Sequence, residues 1–259
     1  SIVAGQGARA GPAGPAAPRA PALALAPDAA GPARVVPAGV PPTAVVPVAA
    51  APATSGALPP ASAAKPVLLR EVDAAWKELG ASWKLPAGEG EPCAAYARAG
   101  VHCFSRTMSL PLIRQLGRPG IVTLDADSSR PSYAILAALT EQTATLRAAG
   151  TEQTVTLAAL TARWRGDFAT LWRAPEGYAP GWPADGQGGA VIDWVARGLA
   201  ALKGTAAHAR PVLDAALRNE VRAFQLAHGL PPDGRPGPLT YMQLNRASGV
   251  DEPWLRTQP

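Results

Sequence analysis

The first 75 residues contain no Phe, Trp or Tyr. All three Phe, four Tyr and seven Trp of the 259-residue chain come at or after Trp76, whereas fourteen of its 29 prolines precede Val67. A segment without large apolar side chains cannot bury enough area to offset the entropy of ordering it, so about 190 residues are left to build a core. Long apolar runs are also missing. No stretch of about 18 residues is free of both Pro and charge, which excludes a bilayer-spanning helix in this sequence. Residues 1–30 are apolar but broken by Pro12, Pro15, Pro18, Pro21 and Pro27, with neither the charged start nor the unbroken centre of a signal peptide. That fits a mature or excised part of something longer. Charged residues are few, at 17 %, and the net charge of +5 is scattered, mostly on Arg. There is no Lys/Arg run and no RNA-binding signature, so nucleic acid is not an expected partner. Basicity alone favours something anionic.

Residues 1–66 are rich in Ala, Pro and Gly, with Arg9, Arg19, Arg34 and Lys65 set against Asp28 alone. Frequent Pro stiffens such a chain toward polyproline II. The expected role is a disordered linker that spaces two attached objects.

From Val67 the pattern changes. Leu68, Leu69, Val72, Ala75, Trp76 and Leu79 recur at helical spacing up to Gly80, which reads as the helix end. Pro92 opens a short helix closed by Gly100, and Leu110–Leu116 reads as another. Strands are expected at Gly120–Asp125 and Ser132–Leu139, joined by a polar hairpin loop, and at Thr151–Val155 and Phe168–Trp172. Thr156 or a neighbour caps a helix over Leu157–Trp164. Helices lead and an antiparallel sheet follows, so residues 67–205 are expected to form an α+β domain. After a Gly/Pro-rich loop over Pro175–Gly189, Val191–Leu202 is an amphipathic helix. Leu213, Leu217, Val221 and Phe224 then mark a helix from near Pro211 to Gly229. A further helix, opened by Pro238, runs to Leu244. Residues 206–259 are expected to be a small all-α bundle.

Leu217–Leu244 reads L-x3-V-x2-FQ-x3-GL-x2-DG-x2-G-x2-T-x3-L. This resembles the bacterial peptidoglycan-binding module, a three-helix domain attached to many wall enzymes. Leu217, Val221, Phe224, Leu230 and Leu244 have core positions, Gly229 suits a left-handed helix end and Gly234 a turn. The motif therefore identifies a fold better than it identifies contacts. Peptidoglycan offers sugar hydroxyls, amides and stem-peptide carboxylates. Arg222, Arg235 and Arg246 are candidates for the carboxylates, Tyr241 for a sugar face and Asn245 for amides; Gln225 of the motif is a further peptidoglycan-binding candidate. His228 reads as a helix-end residue. No second His, Cys or acidic cluster completes a zinc set, and neither metal nor cofactor is expected.

The middle region resembles papain-like peptidases of the bacteriocin-processing, double-glycine branch. Pro92-Cys93-Ala-Ala stands at a helix start, where that fold places its nucleophile, and Leu157-x2-Leu160-x3-Trp164-x-Gly166 resembles the stretch after the catalytic strand. The chemistry does not follow. A cysteine peptidase needs a His in reach of sulfur, an orienting Asp or Asn, and an oxyanion donor. The histidines are His102, His208 and His228; the matching strand carries Ser132-Tyr133 without one; and the oxyanion Gln of the family falls on Ala87. The expectation is a pseudo-peptidase with no catalytic residues. Cys93 and Cys103 can pair if the helix stops at Gly100 and the chain doubles back, or can remain two buried thiols. An even cysteine count in a protein that binds cell wall favours the disulfide.

A degenerate peptidase domain followed by this module is similar to the GspA/ExeA family of type II secretion assembly factors. The stretches that carry the resemblance are Pro92-Cys93 to Cys103, Leu116–Leu124, Trp164–Gly166, Leu171-Trp172, Val191–Trp194 and the module itself. The resemblance implies a periplasmic, non-catalytic protein that binds peptidoglycan, self-associates, and with a GspB-like inner-membrane partner helps a secretin assemble across the wall. It also implies an upstream membrane tether and ATPase; this sequence holds no G-x4-G-K-[ST] loop. The reading from another class is a wall hydrolase or peptidase targeted by its module.

Overall fold

Periodicity, caps and turns become thirteen elements in a computed structural model, which describes residues 67–86 and 90–258. The expected linker, residues 1–66, and Ala87 lie outside the described residues. Helix α1 (Val72–Ser82) is followed by α2 (Pro92–Arg98), β1 (Val101–Thr107), α3 (Leu110–Leu116), β2 (Gly120–Leu124) and β3 (Ser132–Leu139). Then come β4 (Thr143–Ala148), β5 (Thr151–Thr156), α4 (Leu157–Arg163), β6 (Trp164–Arg173), α5 (Ala190–Lys203), α6 (Ala215–Ala227) and α7 (Pro238–Ala247). The architecture is α+β. Its six strands are ordered β1-β6-β2-β3-β4-β5, every neighbouring pair antiparallel.

Local signals place most of these elements. Ser109 accepts from Leu112 N–H and Thr156 from Ala159 N–H, so α3 and α4 start where their hydroxyls satisfy free helix donors. Glu91 caps α2 by accepting from the N–H groups of Cys93 and Ala94. Three expectations are corrected. Gly80 does not end α1; it lies inside the helix because the Tyr96 ring packs onto it and leaves no room for a Cβ. Helix α6 starts at Ala215, not near Pro211, because the Asp214 carboxylate accepts from Leu217 N–H at 2.9 Å. Strands β1 and β4 were not expected. β1 is an edge strand with a mixed, half-exposed face, and β4 (TATLRA) is short and poor in β-branched apolar residues.

The β4–β5 hairpin turns on Ala149 and Gly150, both at positive φ. The Glu78 carboxylate of α1 receives the N–H groups of both, at 2.8 and 3.5 Å. A helix on one face of the sheet thereby fixes a turn that a two-residue connection needs in the left-handed region.

Side chains alternate along the strands and build a core on each face. On one side Ile121, Ile135 and Leu171 pack with Ala75, Trp76, Leu79, Trp83 and Tyr96 of α1 and α2. On the other, Val122, Leu136, Phe168 and Trp172 pack with Ile113 of α3, Val195 and Leu199 of α5, Val221 of α6, and Tyr241 and Leu244 of α7. Helix α5 also packs on both α6 and α7. The three-helix arrangement thus includes α5, on the amino-terminal side of the break at Gly204, and the described residues belong to one compact unit.

Candidate functional site: the peptidoglycan-binding face and the disulfide helix

The FQ…DG…T pattern is explained by one buried amide. Gln225 Nε2 donates to Asp233 Oδ1 at 2.8 Å and to Arg235 O and Thr240 Oγ1, both at 3.1 Å, while its Oε1 accepts from Gly234 N–H at 2.9 Å. With its hydrogen bonds satisfied, the side chain holds the α6–α7 loop in place. Gly234 sits at φ +73° against Arg218 O and the Arg222 side chain, so only Gly fits there.

The six wall-contact candidates separate by burial. Gln225, Tyr241 and Asn245 are each at most 2 % exposed, so this structure corrects their assignment to a ligand surface. Tyr241 stacks on Trp172 with centroids 5.8 Å apart, and Tyr178 and Trp194 meet it edge-on. Burial, then the neighbouring Tyr178, pushes the Tyr241 phenol well above its ordinary pKa. Asn245 donates to Arg173 O at 2.8 Å and to Glu252 Oε1 at 3.1 Å. These two side chains join α7 to the sheet. The arginines remain nearer the surface. Arg222 is half-buried and donates to Asn219 Oδ1 at 2.8 Å. Arg246 is exposed, donates to Gln115 O at 2.8 Å, and lies over the Trp254 ring. Arg235 is exposed, with no side-chain hydrogen bond or ion pair among the described residues.

Cys93 and Cys103 form a disulfide, with Cα atoms 5.6 Å apart. Helix α2 stops at Arg98 and β1 returns from Val101, bringing Cys103 back beside the first turn of the helix. The bond lies on the α1/α2 face, where both cysteines pack with the core around Tyr96. His102, the neighbour of Cys103 on β1, points to the other face: its ring meets Trp172 at 5.9 Å and Tyr178 at 4.9 Å. Burial lowers the His102 pKa. Alternation along one strand therefore places imidazole and sulfur on opposite sides of the sheet, and they form no dyad. Ser132 on β3 is buried, and its hydroxyl has no hydrogen-bond partner among the described residues. His228 packs on Phe224 at 4.2 Å, its pKa lowered by burial and then by nearby Arg246. Among the described residues no group of three or more His, Cys, Asp or Glu could hold a metal ion. No helix there is long and apolar enough to cross a membrane.

A loop-bearing α+β domain covered on one face by a three-helix module defines the class, and residues 188–244 match the peptidoglycan binding domain family. That match begins before α5, in agreement with the packing of α5 on α6 and α7. The chain is similar to General secretion pathway protein A of Aeromonas hydrophila, at 29 % identity over 190 residues, covering 73 % of this chain. It spans about a third of that relative's length, 34 %. The chain is thus similar to General secretion pathway protein A and contains a segment that matches the peptidoglycan binding domain family. Among solved structures, a periplasmic domain of the EpsAB fusion protein of the Vibrio vulnificus type II secretion system matches with a TM-score of 0.48 at 20 % identity. That match covers 72 % of this chain and 82 % of the other. The peptidase domain of Streptococcus ComA matches with a TM-score of 0.28 at 14 % identity, covering 38 % of this chain and 76 % of that one.

Two features escaped the sequence reading. The Arg118–Glu252 ion pair left no signal, because its partners are 134 residues apart. Trp182 had one: a large aromatic in a Gly/Pro-rich loop with no periodic apolar neighbours. It is 57 % exposed.

Proposed function

We propose that this chain is a non-catalytic peptidoglycan-binding protein of the periplasm that serves the assembly of a type II secretion secretin across the cell wall. The observation that carries it is the match of residues 188–244 to the peptidoglycan binding domain family, within a chain similar to General secretion pathway protein A. The Cys93–Cys103 disulfide suits an oxidising compartment. It also ties up the one thiol at a helix start that could have served as a nucleophile. Arg222, Arg235 and Arg246 are the side chains we assign to stem-peptide carboxylates, since each reaches the surface of the module. A GspB-like inner-membrane protein is the proposed partner, self-association on the wall the proposed state, and residues 1–66 the proposed tether. Helix α5 is assigned with α6 and α7 to the wall-binding part.

The test is co-sedimentation of the whole chain with purified sacculi, together with pull-down of secretin components from cells. Retention in the pellet, weakened by high salt, is expected if Arg–carboxylate pairs contribute. A chain that stays in the supernatant refutes the reading. A peptide-cleavage assay on double-glycine peptides and muropeptides, run on the same samples, is expected to show no turnover. Ser132→His is expected to show none either, because sulfur remains in the disulfide. Turnover lost in Cys93→Ala at unchanged melting temperature would instead establish a peptidase.

A further inference from the structure

We propose that the wall-binding site is a composite groove, shared between the module and the sheet, in which the Trp182 ring takes a sugar face and Arg106 and Arg235 take carboxylates. The inference rests on the reading of the chain as a peptidoglycan binder and says where on the molecule the ligand lies.

Trp182 is 57 % exposed, the most exposed aromatic side chain among the described residues. Its ring is nevertheless held in place. It lies directly against Gly237, where a Cβ would collide with it, so the backbone at the start of α7 serves as its support. An indole supported on one side and open to water on the other is a platform, whereas a merely unburied side chain would be free on both. The ring borders a groove of about 110 Å³ whose other walls include Phe104 and Arg106 of β1, Arg235 of the α6–α7 loop, and Leu239 of α7. Phe104, Arg106 and Trp182 lie outside residues 188–244, so three of the groove's twelve lining residues come from outside the segment that matches the peptidoglycan binding domain family.

The charges in the groove are uncommitted. Arg114, Arg118, Arg147, Arg163, Arg165, Arg218 and Arg256 all engage carboxylates. The guanidinium groups of Arg106 and Arg235 make no hydrogen bond or ion pair among the described residues, and both residues are exposed. Asp233, also in the groove, has Oδ1 occupied by Gln225 Nε2 and by Arg235 N–H, each at 2.8 Å, which leaves Oδ2 as an acceptor. The set is therefore one apolar ring face, two forked cationic donors and one carboxylate acceptor. The ligand that matches it carries sugar C–H faces, free carboxylates and hydroxyls on one polymer, which describes a glycan strand with acidic stem peptides. The Gln225 network that holds Asp233, Arg235 and Thr240 is what fixes the geometry of this wall of the groove.

The experiment uses the whole chain, with sedimentation on purified sacculi and calorimetric titration with a soluble disaccharide–tetrapeptide. Trp182→Ala and Arg106→Gln are each expected to weaken titrated affinity about tenfold, some 1.4 kcal/mol, at unchanged melting temperature. Trp182→Phe is expected to restore most of the loss, because a ring is kept. If the unaltered chain sediments and both variants bind within about twofold of it, the composite groove is refuted while the wall-binding reading stands. Failure of the unaltered chain to sediment refutes both. If Trp182→Ala also lowers the melting temperature, Arg106→Gln decides: Arg106 is exposed and unpaired, so unchanged affinity in that variant overturns the proposal.

Discussion

Arg118 and Glu252 form an ion pair in which both side chains are fully buried. Around it, Arg118 donates to Met242 O at 3.2 Å, and Glu252 Oε1 accepts from Arg173 N–H at 2.8 Å and from Asn245 Nδ2 at 3.1 Å. The pair ties the loop after α3, the end of β6, α7 and the tail into one network. The tail continues the attachment: Leu255 N–H donates to Gly117 O at 2.7 Å, and Arg256 lies beside Ala138 in a parallel bridge. Burial lowers the Arg118 pKa, and the bond and charge of Glu252 oppose that shift.

Removing one partner of this pair is expected to cost far more than an exposed ion pair contributes. Glu252→Ala leaves the Arg118 charge buried and unmatched, with an expected loss of about 3–5 kcal/mol. Glu252→Gln keeps shape and an acceptor for Asn245 and Arg173, so its loss is expected to be smaller. Urea unfolding of the three chains checks the order; equal stability of Glu252→Ala and the unaltered chain would refute it.

Asp125 is a carboxylate held below its ordinary pKa, chiefly by its hydrogen bond with Arg163. A depressed folded pKa means that the contribution is present above the unfolded value near 3.8 and is lost as pH falls through the lower folded value. Both side chains are more than a third exposed, so the effect is expected to stay under about 1 kcal/mol. Asp125→Asn is the right comparison, because Asp125 sits at φ +53° and Asn tolerates that region. The two chains are expected to differ at neutral pH and to converge well below pH 3.8 in melts across pH.

At Gly80 the limit is space. An added methyl would meet the Tyr96 ring, whose hydroxyl donates to Trp76 O at 3.2 Å. Gly80→Ala is expected to destabilise by about 1–3 kcal/mol as an overpacked site, although Ala is the better helix former. A gain in melting temperature would show that propensity outweighs packing there.

The disulfide closes a short loop, with a sequence separation of 10. Non-reducing mass spectrometry of periplasmically expressed protein is expected to give a mass two hydrogens below the dithiol. Replacing both cysteines by Ala is expected to cost about 2–3 kcal/mol without altering sedimentation on sacculi. Free thiols in fully folded protein would refute the pairing.

The sequence by itself determined the elements whose causes are local. Pro92, Ser109, Thr156 and Pro238 each stand at a helix start, and the five-residue strand β2 pairs with β3 at the hairpin foreseen from Asp125–Pro131. The motif in α6 and α7 identified the module for the same reason: Gln225, Asp233, Gly234 and Thr240 bond to one another within sixteen residues of chain. The tertiary structure alone decided what depends on packing between distant segments. β1 and β4 have mixed faces, and their place is set by β6, β3 and β5. Gly80 is helical because of Tyr96, and α5 belongs with α6 and α7 because its apolar stripe meets them. Burial also separated the candidates. Tyr241 and Asn245 look like surface polar residues in sequence, but they are claimed by Trp172, Arg173 and Glu252. Arg106, from an edge strand about 130 residues away, is brought beside Arg235. No periodicity records such a meeting, because side-chain alternation fixes only the face a residue occupies and not what covers it.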